Sequence, residues 1–188
     1  MSTVQLFVSM SVDGYVAGPN VSDTHPMGED GERLHEWMFA EPTARPDLEV
    51  IERVRADTGA VVIGRRTFDL GLPHWKDVPY PVPSFVVTHE SRPALPQESG
   101  TFTFVDGVPK AVELAQAAAG ARKVILMGAD LSRQALRAGL VDELLISLIP
   151  VTLGGGARLF EDVDNLTLEP TGTVNSPAAT HLSYRVVR

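Results

Sequence analysis

Three short, uninterrupted apolar runs place the tightest limit on what this chain can fold into. They are the β-rich segments 60–63, 84–88 and 123–127. Continuous apolar runs of this length are typical of strands that are buried on both faces of a sheet. Since strands of this kind occur almost only with helices packed over them, the runs predict an α/β fold with a parallel core.

Helical patterns lie before, between and after these runs. One begins at Asp47, a candidate cap, and the second covers 108–119 and stops at Gly120. Asp130 is a candidate cap for a third helix over 131–137. The middle of the chain therefore alternates strand and helix.

The N-terminal part has a different pattern. Residues 4–11 predict a first strand, which ends at the turn signal Asp13-Gly14. Residues 19–46 are rich in glycine, proline and acids, and they predict a long loop that carries one short helix over 32–39. A loop of this size is more often a lid or binding loop than a simple connection.

The C-terminal part is β-rich throughout. A strand over 143–150 is followed by two β segments, 166–174 and 179–187, with no helix between them. This pattern predicts an antiparallel hairpin added to the parallel core, and hence a mixed sheet flanked by helices. No linker or repeat interrupts the chain, so a single domain over 1–188 is expected.

The composition restricts the possible functions. The chain has no cysteine, which excludes disulfides, thiolate metal sites and a catalytic thiol, and its five histidines lack metal-ligand spacing. A net charge of −8 with scattered basic residues opposes binding to nucleic acid. There is no signal-peptide pattern and no apolar run near the ~20 residues that span a bilayer. We therefore expect a cytoplasmic protein without a nucleic-acid, membrane or metal partner.

Two of the apolar runs lead directly into turns that open helices. The turns are Gly64-Arg65-Arg66-Thr67 and Gly128-Ala129-Asp130-Leu131. A helix start at the carboxyl end of a parallel strand presents free N–H groups and a positive dipole end to an anion. Either turn alone could be an ordinary helix start, but two at one sheet edge favour the pyrophosphate of a dinucleotide.

A third set of polar residues lies at the end of the apolar run 84–88. Thr88, His89 and Arg92 could hold the 2′-phosphate of NADPH, and the alternative is a solvated loop. A charged hydrogen bond from Arg65 or Arg92 would contribute about 1.5 to 3 kcal/mol, or roughly tenfold to a hundredfold in affinity. The sequence thus predicts a preference for NADPH over NADH.

Five segments resemble stand-alone bacterial proteins of the dihydrofolate reductase-like superfamily, of the riboflavin-biosynthesis reductase type. They are Ser11-Val12-Asp13-Gly14-Tyr15-Val16-Ala17-Gly18, Val62-Ile63-Gly64-Arg65-Arg66-Thr67-Phe68, Met127-Gly128-Ala129-Asp130-Leu131, Gly139-Leu140-Val141-Asp142-Glu143-Leu144 and Leu153-Gly154-Gly155-Gly156-Ala157-Arg158-Leu159-Phe160. The last two favour the riboflavin branch over true dihydrofolate reductase. The resemblance covers nearly the whole chain and implies a three-layer α/β/α fold with a central mixed, mostly parallel sheet and a C-terminal antiparallel hairpin.

The resemblance also implies a cofactor and a reaction. NADPH would lie across the carboxyl edge of the sheet and deliver a hydride to a pyrimidine- or pterin-like heterocycle. Ala17 and Gly18 would lie near the nicotinamide, and Thr88 and His89 beside the adenosine ribose. The residues at the phosphates would be Gly64, Arg65, Arg66, Thr67, Gly128, Ala129, Asp130 and Leu131. Because relatives of this type associate, a homodimer is an expectation.

Candidate residues for the chemistry lie near the first strand and in the long loop. Asp13 is the candidate for orienting or protonating the substrate, and a turn-forming aspartate is the alternative. Glu32, His35 and Trp37 are candidates for the substrate wall, with helix packing as the alternative for Trp37. Two family features differ here: Met127-Gly128 replaces a glycine pair, and no residue maps onto the carboxylate that dihydrofolate reductases present to the pterin.

Three functions stay open at this point. The first is a reductase resembling 5-amino-6-(5-phosphoribosylamino)uracil reductase of riboflavin biosynthesis. The second is a reductase of the same fold for a dihydrofolate, pteridine or xenobiotic substrate. The third is a non-catalytic NADP-binding protein.

Overall fold

The computed structural model describes residues 1–188 and contains eleven strands, five α-helices and one 3₁₀ helix. The strands are β1 (Val4–Ser11), β2 (Tyr15–Ala17), β3 (Thr58–Gly64), β4 (Ser84–Val87), β5 (Leu95–Pro96), β6 (Thr101–Val105), β7 (Lys123–Met127), β8 (Glu143–Ile149), β9 (Ala157–Arg158), β10 (Thr167–Asn175) and β11 (Thr180–Val187). The helices are the 3₁₀ helix (Gly31–Leu34), α1 (Glu36–Phe39), α2 (Arg45–Asp57), α3 (Arg65–Gly71), α4 (Val108–Ala119) and α5 (Ala129–Arg137). No helix has both the length and the apolar character that crossing a membrane requires.

The chain forms two compact units, each built from two stretches of sequence. The first unit comprises Met1–Leu6 with Asp57–Asp142, and the second comprises Phe7–Ala56 with Glu143–Arg188. Both predicted phosphate turns are in the first unit, whereas Asp13, the long loop and the terminal hairpin are in the second. The single domain over 1–188 stays a prediction.

Parallel strands form the first unit. Its strand order is β1, β7, β3, β4 and β6, all parallel, with the short β5 antiparallel to β6. In β3 every residue from 58 to 63 is buried, as the continuous apolar run predicts. Ile63 is opposite Met127 and Gly64 is opposite Val87, so β3, β7 and β4 end at the same level.

Aromatic packing holds α3 on the first unit. Phe68, on α3, is buried, and its ring centroid lies 5.0 Å from that of Phe102 and 5.3 Å from that of Phe104. Both pairs meet edge to face, at 71° and 87°, a favoured geometry for aromatic rings. Because Phe68 is one residue after Thr67, this packing also fixes the turn that precedes it.

Antiparallel strands characterise the second unit. Strand β11 pairs with β8 on one side and with β10 on the other, and both pairings are antiparallel. Strand β2 pairs with β9 in a separate two-stranded sheet. The predicted α/β fold, with a mixed, mostly parallel sheet and a C-terminal antiparallel hairpin, is confirmed.

A buried polar chain crosses the core of the second unit. The Nε2 atom of His181 lies 2.8 Å from Oδ1 of Asp47, and its Nδ1 atom lies 2.8 Å from Oγ of Ser147. All three side chains are buried. Trp37 packs on the same histidine with a centroid distance of 4.8 Å, and its Nε1 donates to Oγ of Ser9 at 2.9 Å. Since helix α2 begins at Arg45, Asp47 lies inside its first turn and is not the predicted cap.

We expect Asp47→Ala to lower the free energy of unfolding by about 3 kcal/mol or more, because His181 would keep its burial and lose its partner. The matched control is Glu49→Ala on the same helix, where an exposed carboxylate pairs with Arg45 and the cost should stay within about 0.5 kcal/mol. Urea denaturation measures both. If both variants lowered the free energy of unfolding equally, the buried pair of Asp47 and His181 would contribute no more than an exposed ion pair.

Candidate functional site

The two glycine turns of the first unit meet at neighbouring strand ends. Gly64 ends β3 and precedes α3, and Gly128 follows β7 and precedes α5. A Cβ atom built on Gly128 would lie 2.5 Å from Oγ1 of Thr67 and 3.7 Å from the backbone nitrogen of Gly64. A Cβ on Gly64 would lie 3.4 Å from Cβ of Leu131. The predicted turns therefore form one continuous polar surface.

The first-turn amides of α3 and α5 are the chemically useful part of this surface. Neither Gly64 nor Gly128 provides a side-chain cap, so the N–H groups that open these helices receive no acceptor from the cap residue. Ala129 lies in the first turn of α5, and Leu131 is buried, so Leu131 can offer only its backbone. This arrangement suits an anion with several oxygens.

The predicted cap of α5 is wrong. The helix begins at Ala129, so Asp130 lies within its first turn and Gly128 takes the capping position. The carboxylate of Asp130 instead accepts a hydrogen bond from Nε2 of Gln134 at 2.6 Å. The reason is the backbone of Gly128, where φ is 115° and ψ is 134°. A residue without a Cβ adopts this conformation easily, and it starts the helix earlier.

Arg65 is paired with other side chains at the end of β4. Its Nε lies 2.5 Å from Oδ2 of Asp69, and its Nη1 lies 2.9 Å from Oε1 of Glu90 and 3.1 Å from Oγ1 of Thr88. The Glu90 carboxylate, followed by Asp69, raises the pKa of Arg65 above its usual value. Arg65, followed by Arg92, lowers the pKa of Glu90, so the pair stays ionised at neutral pH.

The neighbouring predicted residues differ in their exposure. Thr88 is buried and its backbone nitrogen donates to the carbonyl of Val105 at 2.9 Å. His89 is exposed, with Nδ1 2.6 Å from Oδ1 of Asp106. Arg66 is also exposed, on the first turn of α3. Their roles at a cofactor stay predictions.

In the second unit, the side chain of Asp13 stabilises the turn at residues 153–154. Its carboxylate accepts hydrogen bonds from the backbone nitrogens of Leu153 at 3.1 Å and Gly154 at 2.8 Å. A hydrogen bond from Ser11, together with these two amides, lowers the pKa of Asp13 to about 2. Asp13 is therefore ionised at neutral pH and carries no proton to donate, which leaves the orienting role as the prediction.

Arg158 joins the same group. Its guanidinium lies 4.5 Å above the ring centroid of Tyr15, Nη2 donates to the Tyr15 hydroxyl at 2.9 Å, and Nη1 donates to the carbonyl of Asp13 at 3.3 Å. Sequence reasoning assigned Arg158 no role, although it lies within the glycine-rich segment that carries the resemblance. The pairing of β2 with β9 brings it to Tyr15.

Ala17 ends β2 and Gly18 follows it, where the long loop folds back. The backbone nitrogen of Gly18 donates to the carbonyl of Met27 at 2.9 Å. A Cβ on Gly18 would lie 1.9 Å from the carbonyl oxygen of Glu29. Close backbone packing therefore explains why glycine is required here, and proximity of Ala17 and Gly18 to a nicotinamide stays a prediction.

The three candidate substrate residues separate into two groups. Glu32 and His35 line a cavity of about 180 Å³ together with Met27, Glu36 and Phe39. Burial lowers the pKa of His35, which favours its neutral form. Trp37 faces the core and packs on His181, which fits the alternative of helix packing, and its place in a substrate wall stays a prediction. A large apolar ring turns inward once α1 lies on the core.

A comparison with known protein families identifies the family of this chain. The model of the RibD C-terminal domain family matches residues 2–182. The chain belongs to this family. The resemblance to riboflavin-biosynthesis reductases is thereby confirmed. No curated protein is similar enough in sequence to be counted as a relative.

Solved structures support the fold of a RibD C-terminal domain. A Shewanella sp. PV-4 protein named for riboflavin biosynthesis has a TM-score of 0.72 and 23% identity, with 100% of both chains covered. A pyrimidine reductase-like protein from Corynebacterium diphtheriae has a TM-score of 0.64 and 16% identity, covering 100% of this chain and 92% of that one. RibD of Acinetobacter baumannii has a TM-score of 0.65 and 18% identity, and this chain spans 59% of its length. The dihydrofolate reductase-like fold is thus confirmed.

We expect Gly128→Ala to lower the free energy of unfolding by about 3 kcal/mol or more, since a strained positive φ and overpacking against Thr67 each cost about 1–3 kcal/mol. Gly139→Ala is the matched control, because Gly139 also has a positive φ, of 64°, but its Cβ would meet open space. Chemical denaturation should show that Gly139→Ala lowers the free energy of unfolding by about 1–2 kcal/mol. Equal losses would show that only the dihedral angle requires glycine at 128.

We expect Asp13→Asn to be less stable than the wild type at neutral pH, with a difference that disappears in acid. The pKa of Asp13 is depressed from 3.8 to about 2 in the folded chain. Its ionisation therefore stabilises the fold above pH ~3.8, and this contribution is lost as the pH falls through ~2. Urea unfolding across this range measures the difference, with Asp23→Asn in the exposed loop as the control. A difference that is constant with pH would contradict the assignment.

Proposed function

We propose that this chain is an NADPH-dependent reductase that transfers a hydride to a pyrimidine- or pterin-like heterocycle, as 5-amino-6-(5-phosphoribosylamino)uracil reductase does. The observation that carries the proposal is the contact between the Thr67 and Gly128 turns. Two uncapped helix starts at adjoining strand ends provide the amides that a pyrophosphate needs. Membership of the RibD C-terminal domain family supports the same function.

The residues present fit a dinucleotide. Gly128 has no side chain, and the Cβ of any other residue would reach within 2.5 Å of the Thr67 hydroxyl, so the missing side chain keeps this surface open. Gly64, Arg65, Arg66 and Thr67 would bind phosphate oxygens on one side, and the amides of Ala129, Asp130 and Leu131 would bind them on the other. When bound, the reduced nicotinamide supplies the hydride.

The chain's own part in the reaction is to position groups and to control charge. Ala17 and Gly18 remain the candidates for the nicotinamide through the family resemblance. Ionised Asp13 fixes the turn at Leu153 and Gly154, and it would orient the substrate without donating a proton. Glu32 and the neutral form of His35 are the candidates for substrate contacts, since both line the cavity beside Phe39.

A second candidate function is nucleotide binding without turnover. The feature that favours it is Met127-Gly128, which stands where the family has a glycine pair. Other substrates of the same fold, such as a dihydrofolate, pteridine or xenobiotic, are further alternatives within the reductase class. A cytoplasmic location and a homodimer stay predictions.

Substrate-dependent oxidation of NADPH separates these functions. The proposal expects loss of the reduced nicotinamide absorbance with a pyrimidine precursor of riboflavin and little loss with dihydrofolate. Oxidation with folates or pteridines alone would move the assignment to the alternative substrates. Tight NADPH binding without oxidation on any heterocycle would establish the binding protein, and absence of NADPH binding would overturn both.

We expect Thr67→Val to weaken NADPH binding about tenfold or more, because a hydrogen bond to a charged phosphate contributes about 1.5–3 kcal/mol. Thr173→Val on the exposed face of β10 removes an equivalent hydroxyl and serves as the control. Titration calorimetry gives both dissociation constants. An unchanged constant for Thr67→Val would remove this hydroxyl from the phosphate site.

A further inference from the structure

The Glu90 carboxylate joins two arginines just beyond β4. One oxygen, Oε1, lies 2.9 Å from Nη1 of Arg65. The other, Oε2, lies 2.8 Å from Nη2 and 3.0 Å from Nε of Arg92. Each carboxylate oxygen is thus bound by a different guanidinium, which is how a phosphate between two arginines is also held.

The surrounding residues fix this group in place. The Oγ1 atom of Thr88 accepts hydrogen bonds from Nη1 of Arg65 and from the backbone nitrogen of Glu90, both at 3.1 Å. The guanidinium of Arg92 lies 5.6 Å from the ring centroid of Phe104, within cation–π range. Because Gly64 is opposite Val87, the group is next to the turn that begins α3.

The side chains are accessible enough to exchange partners. The exposed fraction is 29% for Arg65, 34% for Arg92 and 59% for Glu90. Exposed ion pairs are weak, so a ligand of higher charge can replace the carboxylate at small cost. Asp69 holds Arg65 through Nε, on the other side of the guanidinium from Nη1, and can stay in place during such an exchange.

We propose that Glu90 determines cofactor specificity by competing with the 2′-phosphate of a dinucleotide for Arg65 and Arg92. This inference rests on the proposed function. NADPH must displace the carboxylate, whereas NADH, which has a hydroxyl at this position, leaves both ion pairs intact. Glu90 therefore reduces the preference for NADPH that two unpaired arginines would give.

The test compares Glu90→Gln with the wild type by titration calorimetry. The probes are 2′,5′-ADP and 5′-AMP, which differ only in the 2′-phosphate, together with NADPH and NADH. We expect Glu90→Gln to bind 2′,5′-ADP and NADPH about tenfold more tightly, since each lost pair accounts for a few-fold in affinity. Binding of 5′-AMP and NADH should change less than about twofold.

The matched control is Glu113→Gln, which removes an exposed carboxylate paired with Lys110 on α4 and should change none of the four constants. An unchanged ratio between the phosphorylated and unphosphorylated ligands in Glu90→Gln would overturn this inference and leave the proposed function standing. Weaker NADPH binding by Glu90→Gln would also overturn it, because Glu90 would then be a positioning residue. A wild type that binds neither NADPH nor NADH overturns the proposed function and this inference with it.

Discussion

The register between β3 and β7 is the constraint on which the first unit depends. With Ile63 opposite Met127, both strands end at the same level, and the residues that follow them come into contact. A shift of one residue would reverse which face of β3 each side chain occupies. It would also separate Gly64 from Gly128. The buried side chains of β3 therefore determine the geometry of the turns as well as the stability of the sheet.

Two kinds of positive group lie at the sheet edge where β3, β4 and β7 end. They respond differently to their surroundings. Helix amides carry a fixed partial charge, and neither cap residue supplies a side-chain acceptor for them here, since both caps are glycine. Arginine side chains can instead be neutralised by nearby carboxylates, as Asp69 and Glu90 do for Arg65. In a chain with a net charge of −8, backbone amides are thus the more dependable donors for an anion. The arginines adjust which anion is preferred.

The sequence predicts best what depends on neighbouring residues. The apolar run at 60–63 and the turns that begin at Gly64 and Gly128 are local patterns, and they were sufficient to predict that the two turns open helices at strand ends. Phosphate binding at these turns stays a prediction. The pairing of Asp47 with His181 was not predictable, because 134 positions separate them and neither residue is unusual in its local context. The contact of Trp37 with His181 was not predictable for the same reason. Glu90 lies between His89 and Arg92, which the sequence singled out, but only the structure shows that its carboxylate bridges two arginines.

Three glycines that pack around residue 18 have a consequence for how this chain can diverge. In the second unit, a Cβ on Gly18, Gly28 or Gly156 would come within 2.2 Å of a backbone atom. Main chain therefore packs directly on main chain, and these contacts restrict the path of the loop on both sides of its tip. Substitutions at an exposed tip position such as Asp23 would leave these contacts unchanged. Descendants of this chain could thus vary the tip of the loop without first losing their fold.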